Sequence, residues 1–116
     1  MQIQGKDNLI LKLTFQFSLD IIRFTEKLQQ EKKFNLANQL FRSGTSIGAN
    51  VREAQGCESK SDFTHKMKIA YKEAEETRYW LELCKQAESY PEPGELLDAI
   101  TSILRVLGKI ISSSKA

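Results

Sequence analysis

Histidine and tryptophan each occur once in this chain, and cysteine and proline twice each. Each scarcity excludes something. A single histidine, His65, cannot build the paired Glu-x-x-His motifs of a di-metal helical bundle, and it has only Asp62 three residues before it. Nor is any histidine placed to serve as a base beside Cys57, Cys84 or a serine. The two cysteines form neither a CxxC pair nor a metal-ligand spacing, so they read as reduced, inert thiols. With 2 prolines and 6 glycines there is little material for long loops. No apolar run approaches the roughly eighteen residues that span a bilayer. The opening MQIQGKDNLILKLTFQF is broken by Lys12 and lacks a basic region followed by a cleavage site, so no signal peptide is expected and the location should be cytoplasmic. Neither charge dominates: 17 Lys and Arg against 15 Asp and Glu leave +2. Bulk charge therefore does not predict nucleic-acid binding, which would need a local patch. A nucleophile elbow, a P-loop and a dinucleotide fingerprint are all missing, so neither enzymatic activity nor a cofactor is expected.

What is present is helical periodicity. At 116 residues the chain is one domain with a real core. The spacing predicts helices over about 8–30, 35–55, 61–89 and 94–112, with no segment of strand period. Asn35 is a candidate cap for the second helix, Gly56 its stop, and Ser59 or Ser61 a cap for the third with Asp62 in its first turn. Pro91 should end helix three, Pro93 should sit in the first turn of helix four, and SSSKA should be a frayed tail. Four such helices with short connections predict an all-α, antiparallel up-and-down four-helix bundle. In the first helix Ile10, Leu13, Phe17, Ile21, Phe24 and Leu28 share the core face, while Leu11, Phe15, Leu19 and Ile22 make a second apolar set. That second set is covered either by another subunit, as an oligomer interface, or by two helices of the same chain. Helix four, with nine large apolar residues from Leu96 to Ile111, is similarly wide.

The least ordinary stretch is RSGTSIGANVREAQG, Arg42 to Gly56. Each glycine inside a helix costs about 1 kcal/mol relative to alanine, so close approach of a neighbour has to offset it. Ala37, Leu40, Gly44, Ile47, Gly48, Val51 and Ala54 form that approach stripe. The third helix answers with Phe63, Met67, Ala70, Ala74, Thr77, Leu81 and Cys84, again small in the middle. Beside the approach stripe lie Gln39, Ser43, Ser46, Asn50 and Glu53, with Arg42 and Arg52 at the edges. Either these residues join a buried polar network or they cap, bond back to carbonyls and face water. Glu73 and Glu76 fall beside Ile69, Trp80 and Leu83 on the third helix, where a carboxylate needs a cation, and Arg42 is the candidate partner of Glu76. If that pair is buried, breaking it should cost on the order of 3–5 kcal/mol.

Two basic sets could touch phosphates. Arg52, Lys60, Lys66, Lys68 and Lys72 surround the junction of helices two and three, and Arg23, Lys27, Lys32 and Lys33 gather near the first turn. Glu31, Glu53 and Glu58 dilute both, and lysines on outer faces also serve plain solvation. His65 reads as surface. Charge alone thus leaves open a scaffold that binds RNA or DNA and a protein-interaction module with no nucleic-acid role, and in neither case a membrane protein.

From Leu36 to Leu83 the chain resembles the four-helix-bundle family first noticed as proteins encoded in intervening sequences of bacterial large-subunit ribosomal RNA genes. The likeness is carried by LANQLFRSGTSIGANVREAQG and by the SDF and AYKEAEETRYWL runs. Arg42, Ser43, Ser46, Ile47, Asn50 and Glu53 match its signature, and Glu76 falls where the family has a glutamate on helix three. Gly48 stands where proline is common, and Val51-Arg52 replaces an apolar-small pair. The resemblance implies a bundle that assembles into a ring, commonly five-fold, without known catalysis. A related accessory protein of diversity-generating retroelements binds nucleic acid and a reverse transcriptase, so it implies RNA, DNA or a protein as partner.

Light scattering at micromolar concentration should report a multiple of the 13.2 kDa chain, with a homopentamer favoured. A single 13.2 kDa particle would remove the second apolar set as an interface between subunits.

Overall fold

The computed structural model describes residues 7–115, and side chains from 9 to 114. Residues 1–6, the start of the stretch expected to carry no leader, and Ala116 of the expected frayed tail lie outside the described residues. Among the described residues there are four helices and no strand: α1 Asp7–Gln30, α2 Phe34–Ala54, α3 Lys60–Gln86 and α4 Leu96–Lys115. The connections at 31–33, 55–59 and 87–95 are too short to carry the chain back along a helix, so successive helices run antiparallel. Close backbone contacts link α1 to α2, α2 to α3, α3 to α4 and α4 back to α1, and skip both diagonals. The result is an up-and-down bundle of 45 × 20 × 20 Å.

Each helix turns one stripe inward, and Ile10, Ile21, Leu28, Leu40, Ile47, Val51, Met67, Leu81, Ile100 and Leu107 are fully buried. Each such side chain contributes about 1.5–3 kcal/mol of transfer free energy. The α1–α2 contact leaves no room for a side chain at Gly44. A Cβ on Gly44 would lie 2.9 Å from both γ carbons of Ile21, and one on Gly48 would lie 3.3 Å from the Thr14 carbonyl. That proximity corrects the expected core stripe of α1. Thr14, not Leu13, is buried there, because a short side chain fits beneath the α2 backbone and its hydroxyl donates to the Ile10 carbonyl at 2.7 Å. Helix α4 is wide because it packs on both α1 and α3; Leu97, Val106, Ile110 and Ile111 are half-buried by their own chain.

The helix ends differ from expectation for local reasons. Lys32, at φ 63, closes α1: its N–H bonds to the Gln29 carbonyl and that of Lys33 to the Leu28 carbonyl. Lys33 rather than Asn35 then occupies the N-cap position of α2, with no side-chain cap. Ser59 caps α3, accepting from the Asp62 N–H at 3.0 Å. Helix α3 stops at Gln86, short of Ser89, because Ala87 turns extended at ψ 116 and a Tyr90 N–H to Ala87 carbonyl bond folds Tyr90 back onto the core. Helix α4 begins at Leu96, since Gly94 at φ 59 cannot be helical. It runs on through the serines of the expected frayed tail, where Ser114 shares a 2.8 Å hydrogen bond with Thr64 of α3.

Gly44→Ala should lower stability by about 1 kcal/mol, since overpacking at Ile21 costs about 1–3 kcal/mol against a propensity gain of about 1. Gly108→Ala, whose Cβ would meet only the Tyr71 ring at 3.9 Å, should raise stability by about 0.5–1 kcal/mol. Thermal melting of the two variants checks the contrast, and equal gains would mean that the α1–α2 contact yields without cost.

Candidate functional site

The polar stripe of α2 faces α3 and separates into three arrangements. At its base Ser43 and Thr77, both fully buried, share a hydrogen bond of 2.8 Å, and the Thr77 hydroxyl lies 2.7 Å from the Glu73 carbonyl. Two facing hydroxyls satisfy each other where no water reaches. Above them Arg42 reaches across to α3, donating from Nη1 to Glu73 Oε1 at 3.1 Å and from Nη2 to the Glu76 carboxylate. The Trp80 indole N–H donates to the same Glu76 carboxylate at 3.0 Å, one helical turn on. Arg42 thus bridges two glutamates, and Glu76 collects a guanidinium and an indole.

This clamp is half solvated. The side chains of Arg42, Glu73 and Glu76 are 51%, 23% and 34% exposed, which moves the pair out of the buried class and down to about 1 kcal/mol. Ser46 and Asn50 do not join it. The Ser46 hydroxyl donates to the Ser43 carbonyl at 3.1 Å and the Asn50 amide to the Ser46 carbonyl at 2.8 Å, because short side chains find the preceding turn before they find another helix. Glu53 is 60% exposed and accepts from Lys66 at 2.6 Å. Of the six residues expected in one network, Arg42 and Glu76 meet directly, Ser43 pairs with Thr77, Glu53 crosses to Lys66 of α3 apart from the others, and Ser46 and Asn50 bond within their own helix. Glu73 was expected to need a cation but had no named partner, and Thr77 was expected only on the core stripe of α3. Thr77 follows Glu73 by four residues, one helical turn, and that spacing was the signal available.

The basic residues also divide. Arg23 pairs with Asp20 at 3.3 Å, and with Lys27 it lines a cleft that also holds Asp20 and Glu95. Lys33 lies over the Tyr90 ring at 4.7 Å and Arg52 over the Phe15 ring at 5.7 Å. Lys32 occupies the α1–α2 turn, and Lys72 is exposed one turn beyond Lys68. Lys60, His65 and Lys68 converge on a 450 Å³ cleft at the start of α3, together with the hydroxyl residues Ser61, Thr64 and Ser114. Among the described clefts it is the one lined by two cations of the expected first set.

Two apolar grooves flank α2. Between α1 and α2 the expected interface residues Leu11, Phe15, Leu19 and Ile22 line a 490 Å³ groove with Phe41, Thr45 and Arg52. Its own chain half-buries Leu11 and Ile22 but leaves Phe15 53%, Leu19 38% and Phe41 48% exposed. Between the start of α2 and the end of α3 lies a 630 Å³ groove around Trp80, Leu83 and Tyr90. Burial pushes the Cys84 thiol up from 9.0 to about 11, so it stays protonated at neutral pH. Among the described residues no group of three His, Cys, Asp or Glu side chains converges as a metal site, and no helix is long and apolar enough to cross a membrane.

The family model for 23S rRNA-intervening sequence proteins matches residues 6–112. The chain is also similar to a crystal structure from Bacteroides thetaiotaomicron, a protein of unknown function from the S23 ribosomal protein family. The two are 40% identical, the match covers 93% of this chain and 99% of that one, and the TM-score is 0.87. No curated protein matches.

Arg42→Ala should lower stability more than Lys68→Ala, by about 1–2 kcal/mol against at most a few tenths, and so lower the melting temperature further, because it leaves Glu73 and Glu76 side by side without their cation. Indistinguishable melting temperatures for the two variants would show that the clamp contributes nothing to folding.

Proposed function

This chain belongs to the 23S rRNA-intervening sequence protein family, and from its surface we propose a non-enzymatic cytoplasmic scaffold that assembles into a ring-shaped homo-oligomer and binds RNA or DNA. The observation that carries nucleic-acid binding is the cleft at the start of α3. There Lys60, His65 and Lys68 stand with three hydroxyl residues, the donor set that contacts phosphate oxygens. One such cleft is weak. Repeated around a ring of subunits, several clefts engage one strand together and the affinities compound. Assembly is supported by the α1–α2 groove, where exposed Phe15, Leu19 and Phe41 make a contiguous apolar surface of the kind that marks an interface. A non-enzymatic role is supported by the engagement of Glu73 and Glu76 with Arg42 and by the protonated, buried thiol of Cys84.

A second role, as a protein-interaction module without nucleic acid, is favoured by one observation: Phe34, Tyr79 and Leu83 add exposed apolar surface beyond the α1–α2 groove.

Filter binding of structured RNA at two salt concentrations separates the two. Phosphate contact predicts a steep loss of affinity with salt, and Lys60→Ala with Lys68→Ala should weaken binding uniformly across sequences and flatten the salt slope by about two, roughly one per lysine. Absent or salt-independent binding by a protein that still oligomerises would leave the interaction module.

A further inference from the structure

We infer that the groove between the start of α2 and the end of α3 accepts an unpaired purine base of single-stranded nucleic acid, a subsite that rests on the nucleic-acid reading above. The groove, 630 Å³, is large enough for a base and is walled by Trp80, Leu83 and Tyr90. Carboxamides stand along it: Asn35, Gln39 and Gln86. A carboxamide presents a donor and an acceptor side by side, the complement of an adenine edge, while aromatic rings stack on a base of any identity. Among the described residues Asn35 and Gln86 make no side-chain hydrogen bond, and Gln39 only a long one, 3.5 Å to Arg42. Their hydrogen-bonding capacity is therefore available. The indole is held in place before any ligand arrives, since its N–H is tied to Glu76 at 3.0 Å. A cation is also at hand: Lys33 sits 4.7 Å over the Tyr90 ring, beside Lys32 in the turn, where the phosphate attached to a bound base would need it. An apolar helix from a partner would fill the walls of this groove and leave its carboxamides unused, which is why a base fits it better.

Trp80 is the chain's 1 tryptophan, so its fluorescence reports on this groove alone. The full chain is titrated with end-labelled oligoadenylate RNA of about eight nucleotides and with an abasic oligomer of equal length and charge, reading Trp80 emission and label anisotropy together. Oligoadenylate should quench Trp80 and the abasic oligomer should not. Gln86→Ala, an exposed position that leaves the core intact, should weaken oligoadenylate binding about tenfold while leaving the abasic oligomer unaffected. Anisotropy that rises with no change in Trp80 emission, or equal quenching by both oligomers, would overturn the base subsite and leave phosphate binding standing. No rise in anisotropy for either oligomer would remove both. Trp80 emission that varies with protein concentration and not with RNA would assign the groove to another copy of the chain, and would also overturn the proposal.

Discussion

How closely α2 lies against its neighbours controls most of this structure. Gly44 and Gly48 remove side chains where α1 crosses, and Ile21 and the Thr14 carbonyl move into the space. On the other flank Ser43 meets Thr77, with Ala70 and Ala74 keeping that side of α3 shallow. Small residues forfeit helix propensity, and the dispersion attraction between closely packed helices offsets the loss. The short separation has a chemical consequence as well. It lets one arginine on α2 span to two glutamates a turn apart on α3, so the Arg42 clamp depends on the glycines and hydroxyls packed beneath it.

That same closeness explains what is left outside. A tight α1–α2 seam buries Thr14 and the backbone around Gly48, and pushes the larger side chains of both helices to its edge. Phe15, Leu19 and Phe41 end there, over a groove rather than inside a core. The α2–α3 seam does likewise at its open end, where α3 stops at Gln86 and Tyr90 folds back beside Trp80. Two apolar grooves and one cationic cleft are thus by-products of three helix contacts, and each offers a different chemistry to a partner. Apolar surface of this extent favours association, hydroxyls with lysines favour phosphate, and rings with carboxamides favour a base.

Electrostatics contributes little to stability here. The ion pairs given by Arg23, Arg42, Lys66 and Arg78 all have at least one partner more than a third exposed, the class whose contribution is at most about 1 kcal/mol each. No buried side-chain polar atom among those described lacks a partner, so the interior sets no unmet electrostatic demand. The proposed phosphate contact rests instead on Lys60 and Lys68, which line one cleft at the start of α3.

Helix count, helix faces and the small-residue stripes were legible in the chain, because a period of 3.6 residues and the cost of glycine in a helix are local properties. The pairing of Arg42 with Glu76 was legible for a similar reason: a carboxylate beside Trp80 and Leu83 needs a cation, and few are within reach. Helix ends were less so. Lys32 at positive φ, Gly94 at φ 59 and the turn that returns Tyr90 to the core answer to packing that no local pattern records. Least legible was how the polar stripe divides. Whether Ser46 bonds to its own helix or to another, how far Arg42 stays in water, and which lysines gather in one cleft are questions of distance between helices. Those distances follow from how four sets of side chains interlock at once, and periodicity along one helix carries no information about the separation between two.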